Sequence, residues 1–169
     1  MSREVRWLLG LPGIDNVGLV RWNVFCSGQP TLPRGIETCV GIGIKRVVNL
    51  RRDNEEAPYW KAHGIEYIHH PIIPGDPIDP EYLTSIAEDI MRDRVSCLFH
   101  CMAGMDRTGA VRYAIRVLYD GWSHNEAMEE MRRYIWYEND VYDAVHKAVI
   151  SFNQYVKAKD LKEKYARRS

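Results

Sequence analysis

Residues 100–109 place the strictest demand on the fold, because they join two different kinds of secondary structure. The largely apolar run 95–100 has the length and composition of a buried strand. Helical periodicity follows over residues 108–119. The residues between them therefore form a short loop from a buried strand into a helix, which is the basic unit of an α/β sheet.

The rest of the chain repeats this alternation of strand and helix. Each candidate strand is short and rich in β-branched or aromatic residues, and each candidate helix has apolar residues at helical spacing. The alternation predicts the fold class: α/β, with a central, mostly parallel sheet flanked by helices. The predicted strands are 17–27 (broken near 21–23), 45–50, 65–69 and 95–100; the predicted helices are 33–40, 54–63, 79–92, 108–119, one that begins after Ser123, and one with its apolar face from Val141 to Val156.

Helix caps support several of these boundaries. Asp79, followed by a proline and a glutamate, is a strong helix start. Ser123 and Glu126 have the spacing of a capping box. Asn54 is the predicted cap of the helix that ends before Gly64.

Length and charge limit the kinds of protein that this chain can be. Its 169 residues predict one domain, residues 1–169, with a core at about 16–156 and a charged helical tail at 157–169, predicted to be a solvated helix end. Lys+Arg and Asp+Glu both number 23, which argues against a general nucleic-acid or membrane-surface binder. No apolar run has transmembrane length, and the N-terminus lacks a signal-peptide core, so we expect a cytoplasmic protein. We also expect it to be a monomer.

Cysteine spacing excludes two common uses of this residue. Cys26, Cys39, Cys97 and Cys101 have no zinc-type spacing and are too few for a disulfide scaffold. Three of them, Cys26, Cys39 and Cys97, are predicted to be small buried residues. We expect no metal and no cofactor.

The loop from Cys101 to Thr108 has the residues that a phosphate site needs. Gly104 allows a tight turn with backbone N–H groups directed inward, which forms an anion nest. The following helix adds its positive N-terminal end, and Arg107 offers a planar fork for two phosphate oxygens. The same positive field favours a thiolate at Cys101. The predicted phosphate-binding residues are Met102, Ala103, Gly104, Met105, Asp106 and Arg107.

These residues support a two-step hydrolysis of a phosphomonoester. Cys101 attacks phosphorus and forms a phosphocysteine, while a general acid protonates the leaving oxygen. Water then hydrolyses the intermediate, with the same residue acting as base. Thr108 is predicted to hydrogen-bond the sulfur, and His100 to organise the loop through hydrogen bonds rather than to transfer protons.

The motif His-Cys-x5-Arg-Thr-Gly resembles the loop of the cysteine-dependent protein tyrosine phosphatase superfamily, especially its compact dual-specificity members. Two further segments resemble the atypical bacterial, plant and fungal members. One comprises Asn16–Val20 and Phe25–Pro30, and the other is Val47–Arg51. The resemblance covers about residues 16–152 and implies the protein tyrosine phosphatase-like fold.

The resemblance also implies a general acid on the loop before the helix that precedes the cysteine strand. Asp76 and Asp79 both lie there. Asp76 is preferred because it has no evident structural duty, whereas Asp79 is the predicted helix cap. The chain departs from many relatives at Met102 and Met105, where members that act on inositol phosphates carry lysines. Cys26 replaces an arginine of the family.

The favoured hypothesis is a protein tyrosine or dual-specificity phosphatase whose partner is a phosphorylated protein or peptide. An alternative keeps the chemistry but acts on a phosphoinositide, an inositol polyphosphate or an RNA 5′-phosphate. A third hypothesis is a module that binds phosphoproteins without turnover. Neither nucleic acid nor membrane is an expected partner of the favoured enzyme.

Overall fold

The computed structural model describes residues 6–7, 11–133 and 140–166 of the chain. They fall into two compact units. The first unit comprises Met1–Ile73 and Glu88–Thr108, and the second comprises Pro74–Ala87 and Gly109–Ser169. The prediction of a single domain over residues 1–169 stays a prediction.

The first unit contains a mixed sheet. Its strands are β1 (Arg6–Trp7), β2 (Gly18–Arg21), β3 (Val24–Ser27), β4 (Arg46–Asn49), β5 (Glu66–His69) and β6 (Cys97–His100). Their order in the sheet is β1-β2-β3-β6-β4-β5. The strands β3, β6, β4 and β5 are parallel, and β1 and β2 add an antiparallel edge. The predicted fold class, a mostly parallel sheet flanked by helices, is confirmed.

The two central strands are buried along their whole length. Every residue of β4 and β6 is buried, which is the pattern of parallel strands that are covered on both faces. In register, Asn49 and Ser27 lie on either side of His100. The chain therefore leaves β6 at the carboxyl edge of the sheet, where ligands bind in α/β folds.

Two α-helices lie wholly within the first unit: α1 (Arg34–Gly41) and α2 (Ala57–Ala62). They pack on an apolar cluster that includes Ile36, Trp60 and Leu98. The predicted cap at Asn54 is wrong. The residue before α2 is Glu56, and Asn54 instead accepts from the Ala57 amide through its backbone carbonyl, because the chain makes a turn before the helix begins.

The remaining helices confirm most of the predicted starts. Asp79 Oδ1 accepts from the amides of Glu81 and Tyr82, at 2.8 and 3.1 Å, and so caps the next helix. Ser123 and Glu126 form the predicted capping box. These helices are α3 (Pro80–Met91), which continues into the 3-10 turn Arg92–Arg94, α4 (Asp106–Tyr119), α5 (His124–Arg132), α6 (Asp140–Ala158) and α7 (Leu161–Ala166). None of the helices in the described ranges is long and apolar enough to cross a membrane.

The tail from residue 157 differs from the prediction of a solvated helix end. The chain turns after α6 and forms α7, whose Tyr165 is buried and packs edge-on against Tyr119 with ring centroids 5.2 Å apart. Lys162 Nζ donates to the Trp122 carbonyl at 2.6 Å. An aromatic anchor among the charged residues thus holds the tail within the second unit. Residues 167–169 lie outside the described residues.

Candidate active site

Cys101 follows β6 directly and is buried at the carboxyl edge of the sheet. The backbone around it is held by β4, since the Leu50 amide donates to the His100 carbonyl at 2.8 Å. The thiol is free. The Gly104 amide donates to Cys101 Sγ at 3.3 Å. An N–H group directed at sulfur stabilises negative charge that develops there.

The other three cysteines are buried and unbridged, as predicted. Burial raises the pKa of the Cys97 thiol to about 12 and is also the main cause that raises the pKa of Cys39 to about 12. These two thiols stay protonated at neutral pH and are poor nucleophiles.

Helix α4 begins at Asp106, two residues before the predicted start at Thr108. Arg107 therefore lies in the first turn, where the amide groups have no acceptor within the helix. These amides and the helix dipole make the end of the loop electropositive. Burial raises the pKa of the Asp106 carboxyl, although neighbouring Arg107 and a backbone hydrogen bond lower it.

Arg107 and Thr108 occupy different environments in this turn. Arg107 Nη1 donates to the Ile72 carbonyl at 3.3 Å, which orients the guanidinium and leaves its other N–H groups for an oxyanion. Thr108 is fully buried, and its hydroxyl has no hydrogen-bond partner among the described residues. The predicted bond from Thr108 to the cysteine sulfur is therefore absent, and the Gly104 amide occupies that role.

A segment that we call the strap holds two backbone carbonyls of the loop, those of Met102 and Ala103. The strap comprises residues 15–16 and 27–29. The Gln29 amide donates to the Met102 carbonyl at 3.0 Å, and Asn16 Nδ2 donates to the Ala103 carbonyl at 2.7 Å. Because these carbonyls point toward the strap, the loop can present N–H groups on its opposite, concave side. Sequence reasoning found both strap segments through the family resemblance but not their contact with the loop.

Gly104 is the point of closest approach between loop and strap. Its φ is +76°, a left-handed conformation that favours glycine. A Cβ atom there would lie 2.5 Å from the Gly28 nitrogen and 2.6 Å from the Ser27 carbonyl carbon. Both the backbone conformation and the available space therefore require glycine at this position.

His100 lies beneath the loop and contacts the residue that it precedes. Its Nδ1 is 3.2 Å from the Cys101 carbonyl oxygen, and its Nε2 is 2.7 Å from Glu56 Oε1. Both side chains are buried. This is the loop-organising position expected of His100. Glu56 was missed in the sequence, where it is one of several charged residues in the segment before α2.

The two acid candidates lie in the second unit and differ in their local duties. Asp79 caps α3 with one carboxylate oxygen. Asp76 is exposed in the turn after Gly75, and it makes no hydrogen bond or ion pair within the part of the chain that the structure describes. Its carboxylate is therefore uncommitted, which is the property that favoured it in the sequence.

Arg51 lies at the carboxyl end of β4 but is not a free cation. It is buried, and its guanidinium lies 3.3 Å from Asp53 and 3.6 Å from Glu55. Its neighbour Arg52 is exposed. The charge of the buried arginine is thus offset by neighbouring carboxylates.

Residues 79–130, which contain the cysteine loop, match the model of the tyrosine phosphatase family. A comparison with curated protein sequences finds no significant match.

Three solved structures illustrate the likeness in fold. TpbA of P. aeruginosa is 18% identical, with 92% of this chain and 98% of that chain covered at a TM-score of 0.72. Tk-PTP in its active form is 24% identical, with 87% and 99% covered at 0.68. The catalytic core of the PP-IP phosphatase Siw14 of S. cerevisiae is 20% identical, with 86% and 93% covered at 0.67.

The family match includes the residues whose geometry is described above. Cys101 and Arg107 lie within it, on a loop whose amide contacts the sulfur and whose final turn begins a helix. Cys101 and Arg107 thus lie in a segment that is similar to the tyrosine phosphatase family, in a chain whose fold is similar to those of TpbA, Tk-PTP and Siw14.

Proposed function

We propose that this protein is a protein tyrosine phosphatase with dual-specificity capacity, which hydrolyses phosphomonoesters through a phosphocysteine intermediate. Cys101 attacks phosphorus in line while the bond to the leaving oxygen breaks. Loop amides, the start of α4 and Arg107 stabilise the charge on the equatorial oxygens. Asp76 protonates the leaving oxygen and then accepts a proton from the water that hydrolyses the phosphocysteine.

The observation that supports the proposed substrate preference is the apolar character of residues around the phosphate-binding loop. Met102, next to the nucleophile, has 55% of its surface exposed. Ile73, which follows the residue that orients Arg107, has 37% exposed. Exposed apolar side chains suit an aromatic ring carrying the phosphate better than they suit a second phosphate group. TpbA, similar in fold, has been crystallised with phosphotyrosine, which adds support.

The second candidate substrate is a densely phosphorylated inositol. The fold likeness to Siw14, a PP-IP phosphatase, favours it. Two features oppose it. The loop carries Met102 and Met105 in place of lysines, and the charge of Arg51 is offset by Asp53 and Glu55. A ligand with several phosphates would need more free cations than these residues supply.

A substrate panel tests the proposal. We expect phosphotyrosine peptides to have a higher kcat/KM than phosphoserine peptides, phosphoinositides, inositol polyphosphates and RNA 5′-phosphates, with turnover lost in Cys101→Ser. Met102→Lys should lower the preference for phosphotyrosine over inositol phosphates. Preferred turnover of inositol phosphates by the wild-type chain would overturn the substrate assignment.

The same panel tests a module that binds without turnover. Reduced, pure protein that binds phosphopeptides tightly but releases no phosphate from any substrate would favour such a module. The cytoplasmic location, the monomeric state and the absence of a cofactor stay predictions.

A further inference from the structure

A buried carboxylate lies behind the cysteine loop. Glu56 is 1% exposed and His100 is 0% exposed. Glu56 precedes α2, yet its side chain makes no capping bond with that helix. Within the described residues, His100 Nε2, at 2.7 Å, is the one polar contact of its carboxylate. Burial of a charged carboxylate costs free energy unless the charge is paired, so this contact determines how well the Glu56 charge is stabilised.

The distances at His100 show what its two ring nitrogens face. Nδ1 faces the Cys101 carbonyl oxygen at 3.2 Å, and a carbonyl only accepts, so Nδ1 carries a proton. Nε2 lies 2.7 Å from Glu56 Oε1, within ion-pair distance, although neither atom has a hydrogen-bond partner among the described residues. A buried carboxylate this close to a ring nitrogen is stabilised only if the ring is charged.

Two other groups that the charge of Glu56 acts on are neutral. The pKa of Cys39 in α1 and that of Tyr67 in β5 are each raised to about 12, mainly by burial and further by the Glu56 charge. Both are neutral at physiological pH. Among the described residues, His100 is the one basic side chain at ion-pair distance from Glu56.

We propose that Glu56 is a positioning residue of the phosphatase reaction: its carboxylate keeps His100 doubly protonated and oriented on the Cys101 carbonyl. This inference rests on the proposed role of Cys101 as nucleophile. A positive ring next to Cys101 favours the thiolate, and the Nδ1 bond fixes the backbone where the loop begins. Without the carboxylate, a buried imidazole loses its proton, because burial disfavours the charged form.

Glu56→Gln tests the charge with little change of shape. Its matched control is Glu55→Gln, the same chemical change at the adjacent residue, whose side chain is 72% exposed. The measurement is the rate at which iodoacetamide alkylates Cys101 as a function of pH. We expect the Glu56→Gln midpoint to move up by about one pH unit, which is about tenfold slower alkylation on the acid side. The acid limb of kcat/KM should move with it, and Glu55→Gln should behave like wild type.

A double-mutant cycle shows whether Glu56 acts through His100. In a His100→Asn background, Glu56→Gln should produce no further shift of the alkylation midpoint. An undiminished shift in that background would overturn the proposal, as would an unchanged midpoint in Glu56→Gln alone. Either result leaves the Cys101 dependence of turnover intact, whereas failure of the proposed function appears as activity retained in Cys101→Ser.

A measurement on the wild-type protein covers the case in which the variants do not fold. Imidazole ¹⁵N resonances of His100 at neutral pH should show protons on both Nδ1 and Nε2. A resonance of an unprotonated Nε2 would overturn the proposal whatever the variants do.

Discussion

Replacing Gly104 by alanine tests the contact between the cysteine loop and the strap. The new Cβ would lie 2.5 Å from the Gly28 nitrogen, and ordinary contact begins at 3.4 Å, so loop and strap must separate by about 0.9 Å. A left-handed alanine costs about 1–2 kcal/mol, and forcing packed backbone apart costs about 1–3 kcal/mol more. We expect Gly104→Ala to be destabilised by about 2–5 kcal/mol in urea unfolding.

The same displacement should also lower the turnover of those molecules that remain folded. A misplacement of about 1 Å in a catalytic group costs on the order of 100-fold in rate, so kcat/KM for an aryl phosphate should fall about 100-fold in the folded variant. Gly43→Ala is the matched control, because Gly43 also has a positive φ, +84°, but its Cβ would meet nothing within 4 Å. Equal stability and equal activity in the two variants would refute the reasoning.

Three further predictions concern the acid, the thiolate and a histidine. Asp76→Asn should lower kcat on poor leaving groups by about 10²–10⁴-fold but only mildly on activated aryl phosphates; the assignment fails if Asp79→Asn shows this pattern instead. Peroxide should inactivate the enzyme reversibly through Cys101, with inorganic phosphate protecting and dithiothreitol restoring activity; inactivation that is insensitive to phosphate would contradict this. Burial, aided by nearby cations, lowers the pKa of His124, whose Nδ1 lies 2.7 Å from the Tyr113 hydroxyl. Its folded pKa is below the unfolded value of about 6.5, so the stability that it contributes is present above that pH and is lost as pH falls through the folded pKa. The Tm of the wild type should therefore fall more steeply on acidification than that of His124→Gln, and parallel Tm curves would contradict this.

Local patterns were sufficient to predict the strand, loop and helix that position Cys101. The buried run before Cys101, a glycine in the loop and helical spacing after it are all properties of neighbouring residues. The caps at Asp79 and Ser123 were predictable for the same reason, since a cap contacts the first turn of its own helix.

Contacts between distant segments were not predictable in this way. In sequence Glu56 resembles Asp53 and Glu55, yet these two are exposed and Glu56 is buried against His100. Only the pairing of strands and the turn before α2 distinguish it. Asn16 is likewise an ordinary turn residue until the fold brings its side chain to the Ala103 carbonyl.

Detection of the intermediate tests the central claim most directly. Rapid mixing with a phosphotyrosine peptide, followed by quenching and peptide mapping by mass spectrometry, should show phosphate on Cys101 in the wild-type protein and none in Cys101→Ser. Asp76→Asn should accumulate more of the intermediate when the leaving group is an activated aryl phosphate, because its second step lacks a base. Turnover by Cys101→Ser at the wild-type rate, or phosphate trapped on another residue, would contradict the account.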